Sequence, residues 1–302
     1  MTEPSGILIV NKHVGVTSHD IVGKIRRLYG TRRVGHTGTL DPLASGVLVI
    51  LIGRAAKAAE YLVADTKEYR ARLRLGFTTD TEDVTGEVLT KAETLPSPNQ
   101  VQAVMGSLTG EILQIPPMYS ALKKDGQKLC DLARKGVTVE RQARPVTIHR
   151  LCCTPTSQAE DYILDVHCSS GTYIRTLCAD IGQALGCGGV MAELERRKTG
   201  GFSLEESYTV AQLEEMSPEQ RQSCLIPTER LFDTLEAVYL PEFFERLCRS
   251  GCEIYQKKLH TNLPLGQRVR LCDQAGRFFA LGEIREYPDG SAIKAIKLFD
   301  LT

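Results

Sequence analysis

Apolar residues fall in short runs and alternations along this chain, and the period changes from segment to segment. Residues 6–10 form a compact apolar run that predicts a buried strand. Thr17-Ser18-His19-Asp20 has the form of a helix capping arrangement, and Ile21, Val22, Ile25 and Leu28 follow at helical spacing until Gly30. Residues 47–52 are the longest apolar run, of strand length, and an Ala-rich helix is expected over 54–63. Residues 69–75 alternate, with Tyr69, Ala71, Leu73 and Leu75 on one face and Arg70, Arg72 and Arg74 on the other. Ser97-Pro98 opens another helix, because proline suits a first turn. Strands are expected near 145–153, 161–168 and 189–196, with a helix over 172–185.

The character changes after about residue 233. One short helix over 241–249 is followed by alternating strands near 253–258, 267–272, 277–284 and 292–299, with Gly266, Gly276 and Asp289-Gly290 at turns. The fold class is therefore α+β: a mixed-sheet domain over residues 1–232 and a compact β-barrel over 233–302.

Composition narrows the function classes. No apolar run approaches the roughly 20 residues that cross a bilayer, and the first residues lack the basic and apolar regions of a secretory signal, so a cytoplasmic protein is expected. The ten cysteines are scattered, with no CxxC pair, and are expected to be reduced thiols. Net charge is zero, yet residues 1–150 carry 21 Lys/Arg against 15 Asp/Glu. Such polarity can draw phosphate to one face of a neutral protein. Lys24, Arg26, Arg27, Arg32 and Arg33 form a basic strip, and residues 123–150 hold eight basic and three acidic side chains, either a mobile arm over a polyanion or an exposed loop. In the tail, Lys257, Lys258, Arg268 and Arg270 are expected to make a small phosphate patch.

The segment with most chemistry in it is GHTGTLDPLASGVL, residues 35–48. Three glycines permit tight turns or close approach to a ligand, Pro42 fixes the chain after Asp41, and a strand follows at once. By composition alone this is either a catalytic loop or a capped turn; the spacing excludes a phosphate loop. Considered singly, Tyr69 reads as core, Arg175 as a surface or salt-bridge residue of a helix and His36 as a loop histidine.

Residues 35–48 resemble the catalytic motif of the tRNA pseudouridine synthase B (TruB) family over their whole length. The resemblance extends to Lys12, Gly15, Thr17 and Ser18, to Lys67-Glu68-Tyr69, to the stretch Pro117 to Lys123, and to Cys168 through Leu177. It implies a pseudouridine synthase catalytic domain followed by a barrel similar to a PUA-type RNA-binding domain. It further implies Asp41 as nucleophile, Tyr69 as the tyrosine packed on the target base, and Arg175 as the partner of the aspartate. Leu194 matches a residue lining the base pocket, His36 a histidine filling space left by the flipped nucleotide, and Lys12 and Tyr173 fall at motif positions near the site. The implied substrate is the T-loop uridine (uridine-55) of tRNA, with no cofactor or metal, no required protein partner and a monomeric state. Chemistry agrees: the isomerisation exchanges one glycosidic bond for another, and a carboxylate can add covalently and leave again.

Two departures stand out. Asn11-Lys12-His13 lacks the usual proline after the lysine, and Thr199-Gly200-Gly201-Phe202 replaces Ser-Gly-Pro-Phe. The alternatives are an RNA-binding or RNA-folding factor of the same fold, a synthase acting on another RNA, and a glycosidase-like hydrolase. The last needs a second positioned carboxylate.

Overall fold

The computed structural model describes residues 3–62 and 66–299. A nine-stranded mixed sheet organises the first part of the chain. Its main path runs Gly6–Lys12, Ala44–Ile52, Gly189–Thr199, Lys67–Leu75, Asp161–Cys168, Arg144–Pro155 and Gly110–Gln114. Neighbours are antiparallel except Ala44–Ile52 beside Gly189–Thr199, which run parallel.

Strand alternation divides the apolar residues between two faces. Leu8, Val10, Leu48, Ile50, Ile52, Ala71, Leu73 and Leu164 face the helices Ser18–Leu28 and Ile174–Ala184, which insert Ile21, Val22, Ile25, Leu177 and Ile181. Ile7, Ile9, Val47, Val49 and Leu51 pack on the opposite face against Ala55 and Phe202. Residues 47–52 read as one continuous apolar run because this part of the sheet is covered on both sides. Farther along, the second face is wet. There Arg70 pairs with Asp165 (2.8 Å), Arg74 with Asp161 (2.7 Å) and Arg72 with Glu193 (3.2 Å).

Local signals explain most boundaries. Thr17 caps the first helix: its side chain accepts from the Asp20 amide while the Asp20 carboxylate accepts from the Thr17 amide at 2.8 Å. The helix expected over 54–63 is instead a 3-10 helix, Gly53–Tyr61, and residue 63 lies outside the described residues. Its small alanines leave little side-chain packing to favour α over the tighter turn.

The tail forms a five-stranded sheet in the order Ala237–Tyr239, Arg268–Cys272, Phe278–Tyr287, Gly290–Leu298 and Ile254–Tyr255, with the helix Glu242–Arg249 against it. The strand expected over 253–258 is only Ile254–Tyr255, because the chain turns at once into the helix Gln256–Leu259. Ala237–Tyr239 is a strand that periodicity does not predict.

Of the expected phosphate patch in the tail, Lys257 and Lys258 are exposed, whereas the two arginines are engaged elsewhere. Arg270 pairs with Glu229 at 2.6 Å and donates to the Leu235 carbonyl, while Arg268 donates to the Tyr61 carbonyl. Both arginines thus tie the tail to the preceding structure. An apolar joint of Ala58, Phe232, Leu281 and Phe299 completes that contact, with the Phe232 ring 5.7 Å from Phe299 and 5.9 Å from Phe278. Phe232→Ala should therefore destabilise the protein by about 3–5 kcal/mol, the usual cost of emptying a buried aromatic site. Chemical denaturation measures it, and a loss below about 1 kcal/mol would show that the joint contributes little.

Candidate functional site

The site is assembled from four adjacent strands, one helix end and one loop. Lys12 lies opposite Gly46, Gly46 opposite Arg196, and Arg196 opposite Tyr69, so these residues form one row across the sheet. Gly46 is required there: its φ is +103°, and a Cβ would collide with the backbone of Arg196. Lys12, Arg196 and Tyr69 share the helix-bearing face with the apolar core.

Asp41 sits on the loop between the strands Val34–His36 and Ala44–Ile52. Several bonds fix that loop from below. Ser18, in the first turn of the first helix, donates its hydroxyl to the Leu40 carbonyl (3.1 Å) and accepts from the Leu40 amide (2.9 Å). The Gly15 amide donates to the Pro42 carbonyl at 2.8 Å, and the Ala44 amide to the Asp41 carbonyl at 3.0 Å. The carboxylate itself stays 37% exposed. A group held rigidly but left accessible is suited to meet a substrate.

Arg175, at the start of the helix Ile174–Ala184, reaches Asp41 with Nε at 2.9 Å, and its side chain is only 5% exposed. The other two guanidinium nitrogens donate to the Thr81 carbonyl (3.1 Å) and the Tyr119 carbonyl (2.7 Å). All three nitrogens are therefore used, and the charge cannot swing away. Glu82, beside Thr81, accepts from the Thr176 hydroxyl at 2.7 Å, and burial raises its carboxyl above the usual range.

Tyr69 is buried, and burial raises its phenol, an effect that the nearby Arg196 opposes. His36 stands on its short strand with Nδ1 buried and without a hydrogen-bond partner; burial, then Arg196, lowers its imidazole below the ordinary value. Lys12 is fully buried and donates to the Val16 and His13 carbonyls at 2.9 and 3.0 Å. Tyr173 caps the Arg175 helix, its amide donating to the Gln114 side chain at 3.0 Å; burial raises its phenol and the Ser120 hydroxyl opposes this. Leu194 is buried opposite Ala71 and Ala44, two residues before Arg196 on the same face.

Of the seven residues singled out from the sequence, Asp41 and Arg175 are in direct contact. Lys12, Tyr69 and Tyr173 lie within electrostatic reach of Asp41. Arg196 escaped the sequence reading, although it stands two positions from Leu194 on an expected strand. Its neighbours Glu193, Glu195, Arg197 and Lys198 are also charged, so residue type alone does not set it apart. Among the described residues no cluster of His, Cys, Asp and Glu is suited to hold a metal, and no helix is long and apolar enough to cross a membrane.

Burial lowers the Lys12 ammonium from 10.5 to about 8, with Asp41 opposing and Arg196 assisting. The unfolded chain binds this proton more tightly, so the group makes stability rise with pH between about 8 and 10.5. NMR of ¹³C-labelled lysine should show one residue titrating near 8, and Asp41→Asn should lower that midpoint further by removing the opposing charge. Only ordinary lysine titrations would contradict this environment.

Comparison with known proteins matches this geometry to a family. Residues 26–174 match the TruB family pseudouridylate synthase N-terminal domain, and residues 175–233 the tRNA pseudouridylate synthase B C-terminal domain. The tRNA pseudouridine synthase B of Alkaliphilus oremlandii is 43% identical over 267 residues, which are 88% of this chain and 88% of that protein. That of Syntrophotalea carbinolica is 45% identical, over 80% of each chain. Among solved structures, a chain of a Cbf5-Nop10-Gar1 complex shares the fold, with a TM-score of 0.72 at 24% identity, over 98% of this chain and 85% of that one. The motif loop, its arginine and the sheet that carries both thus belong to a lineage as well as to a geometry: this chain is a member of the TruB family of pseudouridylate synthases.

Proposed function

We propose that this chain converts the T-loop uridine of tRNA, uridine-55, to pseudouridine, with Asp41 as the nucleophile. The observation that carries this reading is the ion pair at 2.9 Å between Asp41 and a guanidinium whose remaining nitrogens are tied to backbone carbonyls. The relatives named above support the tRNA substrate.

In this reading the target nucleotide leaves its stack and enters the site, where Tyr69 offers a ring to the uracil and Leu194 an apolar wall. His36, whose imidazole burial and Arg196 lower below its ordinary value, fills the space that the flipped nucleotide leaves. The Asp41 carboxylate joins ribose C1′ as N1 leaves it, and is displaced in turn when C5 joins C1′. The bond from ribose C1′ to N1 breaks, the uracil turns, and a bond from C1′ to C5 forms. C5 gives up its proton and N1 gains one, with the Tyr69 hydroxyl as the candidate acceptor at C5. Electrons and atoms balance within the substrate, so no redox partner or group donor takes part.

Residues 1–232 supply the catalytic unit and 233–302 an RNA-binding unit, and the protein works as a monomer in the cytoplasm. Backbone phosphates of the T arm run past Lys24, Arg27 and Arg32, and past the arm beginning with the Lys123–Lys124 and Gln127–Lys128 hairpin. The alternative of a binding factor without chemistry is disfavoured by the buried arginine aimed at an accessible carboxylate, since binding alone has no use for that pair.

Asp41→Asn keeps the side-chain volume and removes the nucleophile. It should abolish pseudouridine formation in an unmodified tRNA transcript and leave tRNA affinity within about threefold. Mapping pseudouridine in that transcript, alongside binding measurements, checks both parts. Product at uridine-55 from a clean Asp41→Asn preparation would overturn the assignment, and wild-type product at another uridine would overturn the substrate position.

A further inference from the structure

Arg196 is 1% exposed, and among the described residues no carboxylate lies within ion-pair distance of it. A buried guanidinium is costly unless every donor is satisfied. Here Nε donates to the Val47 carbonyl at 2.7 Å, one terminal nitrogen to the Gly38 carbonyl at 3.1 Å, and the other reaches the Thr39 carbonyl at 3.4 Å. Gly38 and Thr39 belong to the loop that presents Asp41, and Val47 to the strand that follows it. The same guanidinium stands across the strand pair from Tyr69, within electrostatic reach of its hydroxyl.

Resting on the reading above that Asp41 and Tyr69 act on the base, we propose that Arg196 is a positioning residue for the reaction. Its planar fork spans from the backbone of the Asp41 loop to the Tyr69 hydroxyl, and so fixes the distance between the two reacting groups.

Two observations support this role. The residues joined, Gly38, Thr39 and Val47, bracket Asp41 on both sides, so one side chain restrains both ends of the loop. The charge also has a chemical use. Burial opposes formation of a Tyr69 phenolate, and Arg196 favours it, which is the direction a proton acceptor at C5 requires. Plain core filling needs none of this, since an apolar residue of similar volume would avoid the desolvation cost.

The test uses the full chain with Arg196→Lys and Arg196→Gln, steady-state kinetics on tRNA transcript, thermal melting, and the same substitutions in a Tyr69→Phe background. Arg196→Gln should lower kcat by about 100-fold while KM stays within about threefold, the signature of misplaced reacting groups. Arg196→Lys, which keeps the charge, should recover part of the loss. In the Tyr69→Phe background the penalty should shrink at least several-fold, because the hydroxyl it serves is gone. Wild-type kcat in the folded variants, a rise in KM alone, or full additivity with Tyr69→Phe would overturn the inference. Failure of both variants to fold would assign Arg196 to stability and overturn it as well. Asp41→Asn run in parallel keeps the two readings apart. Turnover there removes the nucleophile assignment and this inference with it, whereas intact turnover in the Arg196 variants removes this inference alone.

Discussion

The parallel pairing of Ala44–Ile52 with Gly189–Thr199 sets Gly46 beside Arg196, and the rest of the site depends on that register. Side chains alternate faces along a strand, so a slip of one residue would send Arg196 away from Tyr69 and from the Asp41 loop. Gly46 enforces the pairing, since any larger residue would meet the neighbouring backbone. The glycine that closes the 35–48 motif therefore acts on the partner strand, some 150 residues away in sequence.

Charge placement follows from the same frame. Lys12, Arg175 and Arg196 are buried around one carboxylate, that of Asp41. Such an excess of cations would be unfavourable in an apolar interior without compensation. Backbone carbonyls supply it: those of Val16 and His13 for Lys12, Thr81 and Tyr119 for Arg175, and Gly38, Thr39 and Val47 for Arg196. Carbonyls neutralise cations without competing as nucleophiles, and among the described residues Asp41 is the carboxylate that forms an ion pair with this group. The positive surroundings also suit a substrate that carries phosphate.

Much of this arrangement was legible in the sequence wherever one local rule decided the outcome. The reciprocal bonds of Thr17 and Asp20 are written in residue type and spacing, and the alternation of 69–75 placed Tyr69 inward and its arginines outward. Resemblance to a family motif singled out Asp41 and Arg175, and the fold brings them within 2.9 Å. Where several rules competed, the reading failed. Arg196 lies in a run of charged residues flanked by irregular pairing between Met191 and Glu193 and between Arg196 and Lys198, so its burial has no periodic signature. Arg268 and Arg270 looked like a phosphate patch because their partners, Tyr61 and Glu229, are distant in sequence. The strand Ala237–Tyr239 is too short to show a period.

The proposed reaction rests on Arg175 holding Asp41 for covalent chemistry and not serving binding. Its most direct test is the single-turnover rate of Arg175→Met measured together with its Kd for tRNA. Methionine fills similar space without the charge, so the account predicts a chemical step slowed by about 100-fold or more, with Kd changed by less than about threefold. A wild-type single-turnover rate with weakened tRNA binding would contradict it, and would make Arg175 a contact for RNA.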